Sequence, residues 1–259
     1  MPSSLTPEQR ERYARNIVLP GWGEEAQEKL AQAHVLVVGA GGLGSPCCFH
    51  LAAVGVGHLT LVEGDSVELS NLNRQILHST ADVGHQKTES AGERLRALRP
   101  DLDLETVPTR LTPGNALELF ASCDTIVDAS DNYDTRFLCN DAAVLANRPL
   151  AHGSIFRYEG QVTTVIPGEG PCLRCIYPEP PAPGVMPTGA QAGVLGVAPG
   201  VVGTLQAAEV IKLVTGLGEP LVGRLLLYDS LGATFEELAV SRNPHCAVCG
   251  DSPTITRLS

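Results

Sequence analysis

The sequence predicts an α/β protein with a doubly wound, mostly parallel sheet. Short apolar runs typical of strands alternate with longer helical segments between residues 34 and 166. The first run, residues 34–38, leads into the glycine-rich residues 39–44 and then into a helical segment, which is the order found in nucleotide-binding βαβ units. With 259 residues and 43% hydrophobic content, the chain is long enough to bury a substantial core.

Four regions are predicted within a single domain that spans residues 1–259. They are an N-terminal helical arm (1–33, broken at "LPGWG"), a nucleotide-binding core (34–166), a long crossover loop (167–200), and a C-terminal region of helix, strands and zinc knuckle (201–259). The crossover is rich in proline and glycine, as in "YPEPPAPGVMPTG". A loop of this length inside a compact domain is usually functional or disordered.

Each element has a local signal. Pro46 falls in the first turn of the helix that follows the glycines, Pro100 stops another helix, and Gly216 ends the last one. Predicted strands are 34–39, 58–65, 102–108, 124–130, 149–156 and 160–167, followed by an antiparallel pair at 224–230 and 233–240. Predicted helices are 43–56, 88–98, 113–123, 135–147 and 200–216.

Charge and targeting signals narrow the function classes. The formal net charge is −11 and no basic run is present, which argues against a nucleic-acid or membrane-surface binder. The polar N-terminus lacks the apolar core of a signal peptide, and no apolar window is long enough to span a bilayer. We therefore expect a soluble, cytoplasmic protein. Lysine occurs only at positions 29, 87 and 212, so a cationic site must be built largely from arginine.

Two C-x-x-C pairs, "CLRC" and "CAVC", suggest a structural metal site formed by Cys172, Cys175, Cys246 and Cys249. In a cytoplasmic protein this pattern favours zinc over disulfides, because each tight turn offers two thiolates and two turns complete a tetrahedron. The pairs are separated by about 70 residues, so the site would clamp two distant segments together. A redox pair and unpaired core thiols remain alternatives.

The glycine loop by itself does not identify the nucleotide. Gly39, Gly41 and Gly44 fit the pattern G-x-G-x-x-G, and Glu63 with Asp65 follows at the end of the next strand. An acidic residue there accepts hydrogen bonds from ribose hydroxyls. A dinucleotide and an adenosine nucleotide fit these residues equally well.

The residues that follow favour a triphosphate with Mg²⁺. Arg74 and Lys87 can neutralise phosphate oxygens, and Asp131, just past the fourth predicted strand, can ligate the metal. All would lie near the carboxyl edge of the sheet, where ligands bind in doubly wound folds. Taken singly, Arg74 and Lys87 could be solvated surface residues, Asp131 a helix N-cap, and Glu63 a solvated strand-end acid. Further polar residues occur in the same segments, at Asn71, Gln75 and Asn132.

The motifs together resemble the MoeB/ThiF/HesA adenylyltransferases, which are relatives of the ubiquitin-activating enzymes. The matching segments include "RYARN", "VLVVGAGGLGSP", "SNLNRQ", "GHQKTES", "DASDN", "PCLRC" and "NPHCAVCG". They run from about residue 8 to residue 250, and the MoeB-like branch is the most similar. The resemblance implies a Rossmann-like fold and ATP-dependent activation of a small ubiquitin-like sulfur carrier ending in Gly-Gly. Molybdopterin, thiamine and related thiolation pathways use such carriers.

The resemblance also assigns roles to individual residues. Arg15, Arg74, Lys87 and Asp131 would be catalytic, with Asp131 holding Mg²⁺. Arg15 matches the family arginine that reaches the phosphates of the partner subunit, which implies a homodimer with composite sites. The resemblance places the nucleotide against Gly41, Gly42, Glu63, Asp65, Ser70, Asn71, Leu72, Asn73, Arg74, Gln75, Lys87, Asp131 and Asn132.

One departure concerns the crossover loop. Many relatives carry a cysteine there that can bond covalently to the carrier, but this chain has Gly189 at that position, in "TGAQAG". We therefore expect adenylation without a covalent carrier intermediate from this loop. We also expect a separate protein to donate sulfur, because the chain has no room for a sulfurtransferase domain. Two other functions stay open: a nicotinamide- or flavin-dependent oxidoreductase, and a non-catalytic carrier-binding subunit.

Overall fold

The computed structural model describes residues 5–182, 184–185, 187 and 189–259. Within this part of the chain, one eight-stranded sheet forms the centre of the molecule. Its strands in chain order are β1 (His34–Val38), β2 (His58–Val62), β3 (Asp103–Val107), β4 (Thr125–Asp128), β5 (Leu150–Phe156), β6 (Glu159–Val165), β7 (Arg224–Asp229) and β8 (Thr234–Ala239). Their spatial order is β3-β2-β1-β4-β5-β6-β7-β8. Each of the eight predicted strands is therefore confirmed.

Helices connect the strands nearly as predicted. They are α1 (Pro7–Arg12), α2 (Ala14–Ile17), α3 (Gly23–Gln32), α4 (Gly44–Val54), α5 (Lys87–Leu98), α6 (Ala116–Ala121), α7 (Tyr133–Leu145), α8 (Leu173–Ile176), α9 (Gly189–Ala192) and α10 (Ala198–Thr215). The arm is broken after Ile17, where the sequence reads "LPGWG". No helix among the described residues is both long and apolar enough to cross a membrane.

The sheet has a parallel part and an antiparallel part. Strands β1 to β5 pair in parallel, whereas β6, β7 and β8 add antiparallel pairs to the β5 edge. The antiparallel part is larger than the expected C-terminal pair, because β6 also runs antiparallel to β5. Only Arg157 and Tyr158 join these two strands, and such a short connection permits only an antiparallel hairpin. Arg157 adopts a positive φ of 56° in this turn.

Both faces of the sheet are covered. Val35 and Val37 of β1 join the core cluster that includes residues of α4, α5 and α10, and Leu36 and Val38 join the opposite cluster with α6 and α7. Such burial on both faces explains why β1 is a continuous apolar run. The register pairs Val38 with Val62 and with Asp128, so the carboxyl ends of β1, β2 and β4 meet at one edge.

The predicted crossover loop is partly helical. It contains α8 and α9, and α10 begins at Ala198, inside the range 167–200 that was expected to be loop. Near its end, Leu195 donates a backbone hydrogen bond to the Arg157 carbonyl at 2.9 Å. Gly189 begins α9, while Thr188, the first residue of the "TGAQAG" segment, lies outside the described residues. The backbone hydrogen bond from Leu195 holds the end of the crossover beside Arg157, at the carboxyl edge of the sheet.

Candidate active site

The glycine loop, residues 39–43, connects β1 to α4 with little space around it. Gly39 has a φ of +102°, and a Cβ at this residue would lie 2.8 Å from the Ala129 carbonyl oxygen. Both conditions require glycine. A Cβ at Gly42 would lie 3.1 Å from the Pro199 side chain and 3.4 Å from Arg74 Cγ. Gly42 therefore faces the start of α10 and the Arg74 turn, so three separate segments converge on the loop.

Buried side chains fix the loop through Ala40. The Ala40 amide donates to Glu63 Oε2 at 3.1 Å, and its carbonyl accepts from His78 Nε2 at 3.0 Å. A carbonyl can only accept, so His78 carries its proton on Nε2, and its Nδ1 accepts from the Ser90 hydroxyl at 2.9 Å. Burial lowers the pKa of His78, and the nearby Lys87 charge lowers it further. The neutral ring thus matches both hydrogen bonds.

Lys87 brings a cation to the carboxyl edge of β2. It is the first residue of α5, and its ammonium nitrogen lies 3.7 Å from carboxylate oxygens of both Glu63 and Asp65. The side chain of Lys87 is 8% exposed and that of Glu63 is 11% exposed. Glu63 also accepts from the Asp65 amide at 2.8 Å. The predicted ribose acids and the predicted phosphate lysine therefore form one cluster.

The turn at residues 68–75 carries the predicted phosphate contacts. A short 3-10 helix, Leu69–Asn71, opens it, and Asn71 is buried with its Oδ1 accepting from the Glu68 amide at 3.1 Å. Asn71 thus holds the turn instead of pointing into open space. The Arg74 guanidinium donates to the Ser70 carbonyl and to Asn73 Oδ1, both at 3.0 Å. Gln75 is buried, with its amide nitrogen beside Gly41.

The loop after β4 presents Asp131 to solvent. The helix α7 is capped by Asn132, whose Oδ1 accepts from the Thr135 amide at 2.9 Å. The capping role considered for Asp131 therefore belongs to its neighbour. The Asp131 side chain is exposed and makes no hydrogen bond or ion pair with another described residue. Asp131 is thus a free carboxylate at the edge where the glycine loop also lies.

Arg15 lies far from the glycine loop of its own chain. It follows Tyr13, whose ring packs so closely under Gly55 that a Cβ there would lie 2.8 Å from Tyr13 Cζ. Gly55 caps the C-terminal end of α4, whereas the glycine loop precedes its N-terminal end. The 11 residues of α4 separate the two ends by about 16 Å. The structure brings together the other predicted site segments, but not Arg15.

Two polar features of this edge were not found from the sequence. The buried Asp128 at the end of β4 accepts hydrogen bonds from Ser130 Oγ at 2.6 Å and from His152 Nδ1 at 2.8 Å. Burial tends to raise the pKa of Asp128, but these hydrogen bonds outweigh it, and the pKa lies below its ordinary value. Arg110, in the loop after β3, donates to Asp65 at 2.8 Å. Asp128 begins the "DASDN" segment, but that pattern does not show its buried partners, and Arg110 lies outside the matching segments.

The four predicted zinc ligands form a single cluster away from the glycine loop. Their sulfur atoms all lie within 4.8 Å of one another, and pairs of 3.5 Å (Cys172–Cys246) and 3.4 Å (Cys175–Cys249) cross between the two C-x-x-C turns. Tetrahedral ligands at the usual Zn–S length of about 2.3 Å lie about 3.8 Å apart. Burial raises the pKa of the Cys172 thiol, so a bound cation is needed to keep this sulfur a thiolate. The donor set fits Zn²⁺.

Further contacts tie the cysteine cluster to α7. Arg174, between the first two cysteines, makes two 2.7 Å hydrogen bonds to the Asp141 carboxylate. Asn140 accepts from the Leu173 amide at 2.7 Å. The cluster therefore links the start of the crossover, the C-terminal segment and the helix that follows Asp131.

Comparisons with known proteins find relatives that match most of the chain. The ThiF family model matches residues 13–248. A sulfur carrier protein adenylyltransferase of Thermus thermophilus is 53% identical over 254 residues, covering 96% of this chain and 94% of that protein. A SAMP-activating enzyme E1 of Haloferax volcanii is 49% identical over 251 residues, covering 97% and 93%. Among solved structures, Escherichia coli MccB with ATP matches with a TM-score of 0.81 and 25% identity, covering 92% of this chain and 74% of that chain.

The family match extends over most of the chain and includes the glycine loop, the Lys87 cluster, the Asp131 loop and the first three cysteines. The TM-score shows that this chain and MccB share their overall fold. The chain belongs to the ThiF family.

Proposed function

We propose that this chain is an adenylyltransferase that uses ATP to activate the C-terminal glycine of a small ubiquitin-like sulfur-carrier protein. Two relatives, about half identical over nearly their whole lengths, are named as a sulfur carrier protein adenylyltransferase and a SAMP-activating enzyme. The enzyme class follows from these relatives.

The observation that carries the proposal is the buried Lys87 ammonium beside the glycine loop. It lies 3.7 Å from Glu63 and from Asp65, at distances longer than a direct hydrogen bond. A cation so placed, at the carboxyl end of the second strand, suits the phosphates of a nucleotide whose ribose rests on the acids. A site for hydride transfer from a nicotinamide or flavin does not require such a cation.

The chemistry requires little covalent participation by the protein. One carboxylate oxygen of the carrier's terminal glycine attacks the α-phosphorus of ATP. A new O–P bond forms, the bond to the leaving oxygen breaks, and pyrophosphate departs with the bonding electron pair. Negative charge grows on the α-phosphoryl group and on pyrophosphate, so positioned cations lower the barrier. The product acyl-adenylate has a carbonyl carbon that sulfur can attack.

Each predicted residue receives a role in this scheme. Gly41 and Gly42 let the loop backbone approach the phosphates, Glu63 and Asp65 accept from the ribose, and Arg74 and Lys87 face the phosphate charge. Asp131 fits a magnesium ligand, because its exposed carboxylate makes no hydrogen bond or ion pair with a described residue. Bound Mg²⁺ supplies charge neutralisation of the triphosphate. Ser70, Asn71, Leu72, Asn73, Gln75 and Asn132 shape the turns on either side.

We also infer a homodimer in which Arg15 serves the partner's site. Tyr13, two residues before Arg15, packs against Gly55 at the C-terminal end of α4, and the helix separates that end from the glycine loop by about 16 Å. Exposed apolar residues follow Arg15 in the arm: Val18 is 74% exposed and Leu19 is 49% exposed. A second copy that covers them would carry Arg15 to another protomer. Sulfur then comes from a separate donor protein, and Gly189 offers no thiol for a covalent link in α9.

The decisive experiment is ATP–pyrophosphate exchange with Mg²⁺ and purified candidate carriers that end in Gly-Gly. Exchange with one carrier, lost in Asp131→Ala and kept in the neighbouring control Asp134→Asn, supports adenylation and identifies the partner. The same carrier lacking its last glycine must give no exchange. A zinc-loaded protein that binds ATP but exchanges with no carrier contradicts catalysis and favours a carrier-binding subunit. Stabilisation by NAD but not by ATP would favour the oxidoreductase alternative.

A further inference from the structure

Arg110 is an arginine of the nucleotide edge to which the proposed reaction gives no role. It lies in the loop between β3 and α6, and its guanidinium donates to Asp65 Oδ1 at 2.8 Å. The Arg110 side chain is 79% exposed. An ion pair this exposed contributes little to stability, so structural need does not explain why an arginine is held here.

The backbone of Arg110 is fixed although its side chain is exposed. Its carbonyl accepts from the Asn115 side-chain amide at 3.0 Å, and Asn115 Oδ1 accepts from the Thr112 amide at 2.8 Å. The loop also lies directly against Gly64, where a Cβ would come within 2.8 Å of Arg110 Cγ and 2.9 Å of its backbone nitrogen. Gly64 thus lets the Arg110 stem cross the segment between the two ribose acids.

The charges around Arg110 belong to the nucleotide cleft. The hydrogen bond and the charge of Asp65 raise the pKa of Arg110, and Glu63 and Asp131 act in the same direction. Its guanidinium is therefore within electrostatic reach of acids from the β2 loop and the β4 loop.

The strand order indicates which part of a nucleotide would meet Arg110. Phosphates at the glycine loop lie over the end of β1, and ribose on Glu63 lies at the end of β2. The sheet continues from β1 through β2 to β3, so the base extends toward the loop that follows β3. Arg110 is the third residue of that loop.

We propose that Arg110 is the base-side binding residue of the nucleotide site, with its guanidinium plane covering the ring of the bound base. Asp65 holds the guanidinium in place from one side, and the planar cation attracts the π-face of the ring. This contact recognises the presence of a base, not its hydrogen-bonding pattern. The inference rests on the proposed ATP-dependent function and adds a contact to that same site.

The test compares two probes by equilibrium binding with the full-length protein. ATP carries a base, and inorganic tripolyphosphate carries the same phosphate chain without one. We expect Arg110→Ala to weaken ATP binding about 5- to 20-fold and to leave tripolyphosphate binding unchanged. Arg110→Lys keeps the positive charge but loses the planar guanidinium, so its affinity for ATP should lie between those of the wild type and of Arg110→Ala. Arg10→Ala removes another exposed ion pair, Arg10–Glu24 at 2.9 Å, and should leave the binding of both ATP and tripolyphosphate unchanged.

A second variant separates direct contact from an effect through Asp65. In an Asp65→Asn background, Arg110→Ala should still weaken ATP binding, although by less than in the wild-type background, because Asp65 orients the guanidinium but the arginine itself covers the base. Unchanged ATP binding in Arg110→Ala overturns the proposal, and so does an equal loss for tripolyphosphate or a loss that vanishes in the Asp65→Asn background. A wild-type protein that fails to bind ATP would contradict the proposed function, which keeps the two failures distinguishable.

Discussion

His152 donates a hydrogen bond from Nδ1 to the carboxylate of Asp128 across 2.8 Å, and both side chains are almost fully buried. The other Asp128 oxygen accepts from the amide and the hydroxyl of Ser130, at 3.1 and 2.6 Å. The next residue is Asp131, the proposed magnesium ligand. The buried pair therefore sets the path of the backbone that presents Asp131.

Asp128→Ala should destabilise the protein and misplace the Asp131 loop. It leaves His152 and Ser130 with buried donors that lack an acceptor, which typically costs about 2–4 kcal/mol. Urea unfolding measures that loss. Displacing a catalytic group by about 1 Å reduces rate on the order of 100-fold, so exchange by the folded fraction should also fall. The control is Asp134→Asn, a conservative change in the exposed first turn of α7, which should alter neither stability nor the exchange rate. An Asp128→Ala protein that is stable and fully active would contradict the role of the buried pair.

Most of the fold could be predicted because most elements carry a local signal. The run of β1, the glycines before α4, Pro100 after α5 and Gly216 after α10 each act within a few residues. Predictions were weaker where the outcome depends on distant pairing. The antiparallel direction of β6 follows from the short turn after Phe156 and from its pairing with β7 on the far side. The turn of helix at Gly189–Ala192 has no strong local pattern.

The candidate site also has residues that the sequence identifies locally and contacts that depend on distant segments. Residues in motifs, such as Glu63 and Lys87, could be named from the sequence, and the structure places them 3.7 Å apart. The partners of Asp128 could not be named, because His152 reaches its carboxylate from β5 and Gln206 donates to its backbone carbonyl from α10. Spacing predicted the four cysteines but could not show the link from Arg174 to Asp141. The roles of all these residues in binding and catalysis stay predictions.

Lys87→Met should lower the maximal rate of ATP–pyrophosphate exchange about 100- to 1000-fold, the range seen when one group that stabilises transition-state charge is removed. The variant also leaves Glu63 and Asp65 without a compensating cation in front of an anionic ligand, so the KM for ATP should rise. Lys29→Met is the matched control: Lys29 is 46% exposed and pairs with Glu25 at 3.0 Å in the arm. Equal activity of both variants would remove Lys87 from the mechanism.

The cysteine cluster should hold about one zinc ion per chain. Cys175→Ser removes one of four ligands, and zinc content measured by elemental analysis should fall together with the thermal midpoint. Cys123→Ser changes a buried thiol outside the cluster and should keep the metal. Because the cluster joins Arg174 and α7, loss of zinc should also reduce exchange. Wild-type protein prepared with zinc but containing none would contradict the assignment.

Stability should decline below about pH 6.5 in part because of His78. Its pKa in the folded protein is lowered from the ordinary value of 6.5, so at lower pH the unfolded chain binds a proton that the folded chain resists. The stabilisation is complete above pH 6.5 and is lost as pH falls toward the folded pKa, by at most about 1.4 kcal/mol per pH unit.

His78→Gln keeps a donor for the Ala40 carbonyl without this titration. The free energy of unfolding should therefore depend less on pH between 5 and 6.5 (about one proton at most) in this variant. His85→Gln, at an exposed histidine, should leave the slope as in wild type. An unchanged slope in His78→Gln would show that the ring already titrates normally in the folded state.

Mixing two inactive variants should restore activity if Arg15 serves the partner's site. Arg15→Ala and Asp131→Ala each inactivate both sites of a homodimer. In a mixed dimer, one site combines the intact Asp131 of one protomer with the intact Arg15 of the other, while the second site lacks both. Random subunit exchange makes half of the dimers mixed, and each mixed dimer has one intact site of two. The rate of ATP–pyrophosphate exchange should therefore recover to about a quarter of the wild-type rate. Because the arm packs through Tyr13 at the end of α4 that is opposite to the glycine loop, no recovery is expected without subunit exchange. Arg12→Ala mixed with Asp131→Ala controls for a general effect of the arm. Arg12 donates to the Leu98 carbonyl at 3.3 Å and has no proposed role in the site, so this variant should be active before mixing. If the Arg15 and Asp131 variants stay inactive after complete exchange, the composite site is wrong.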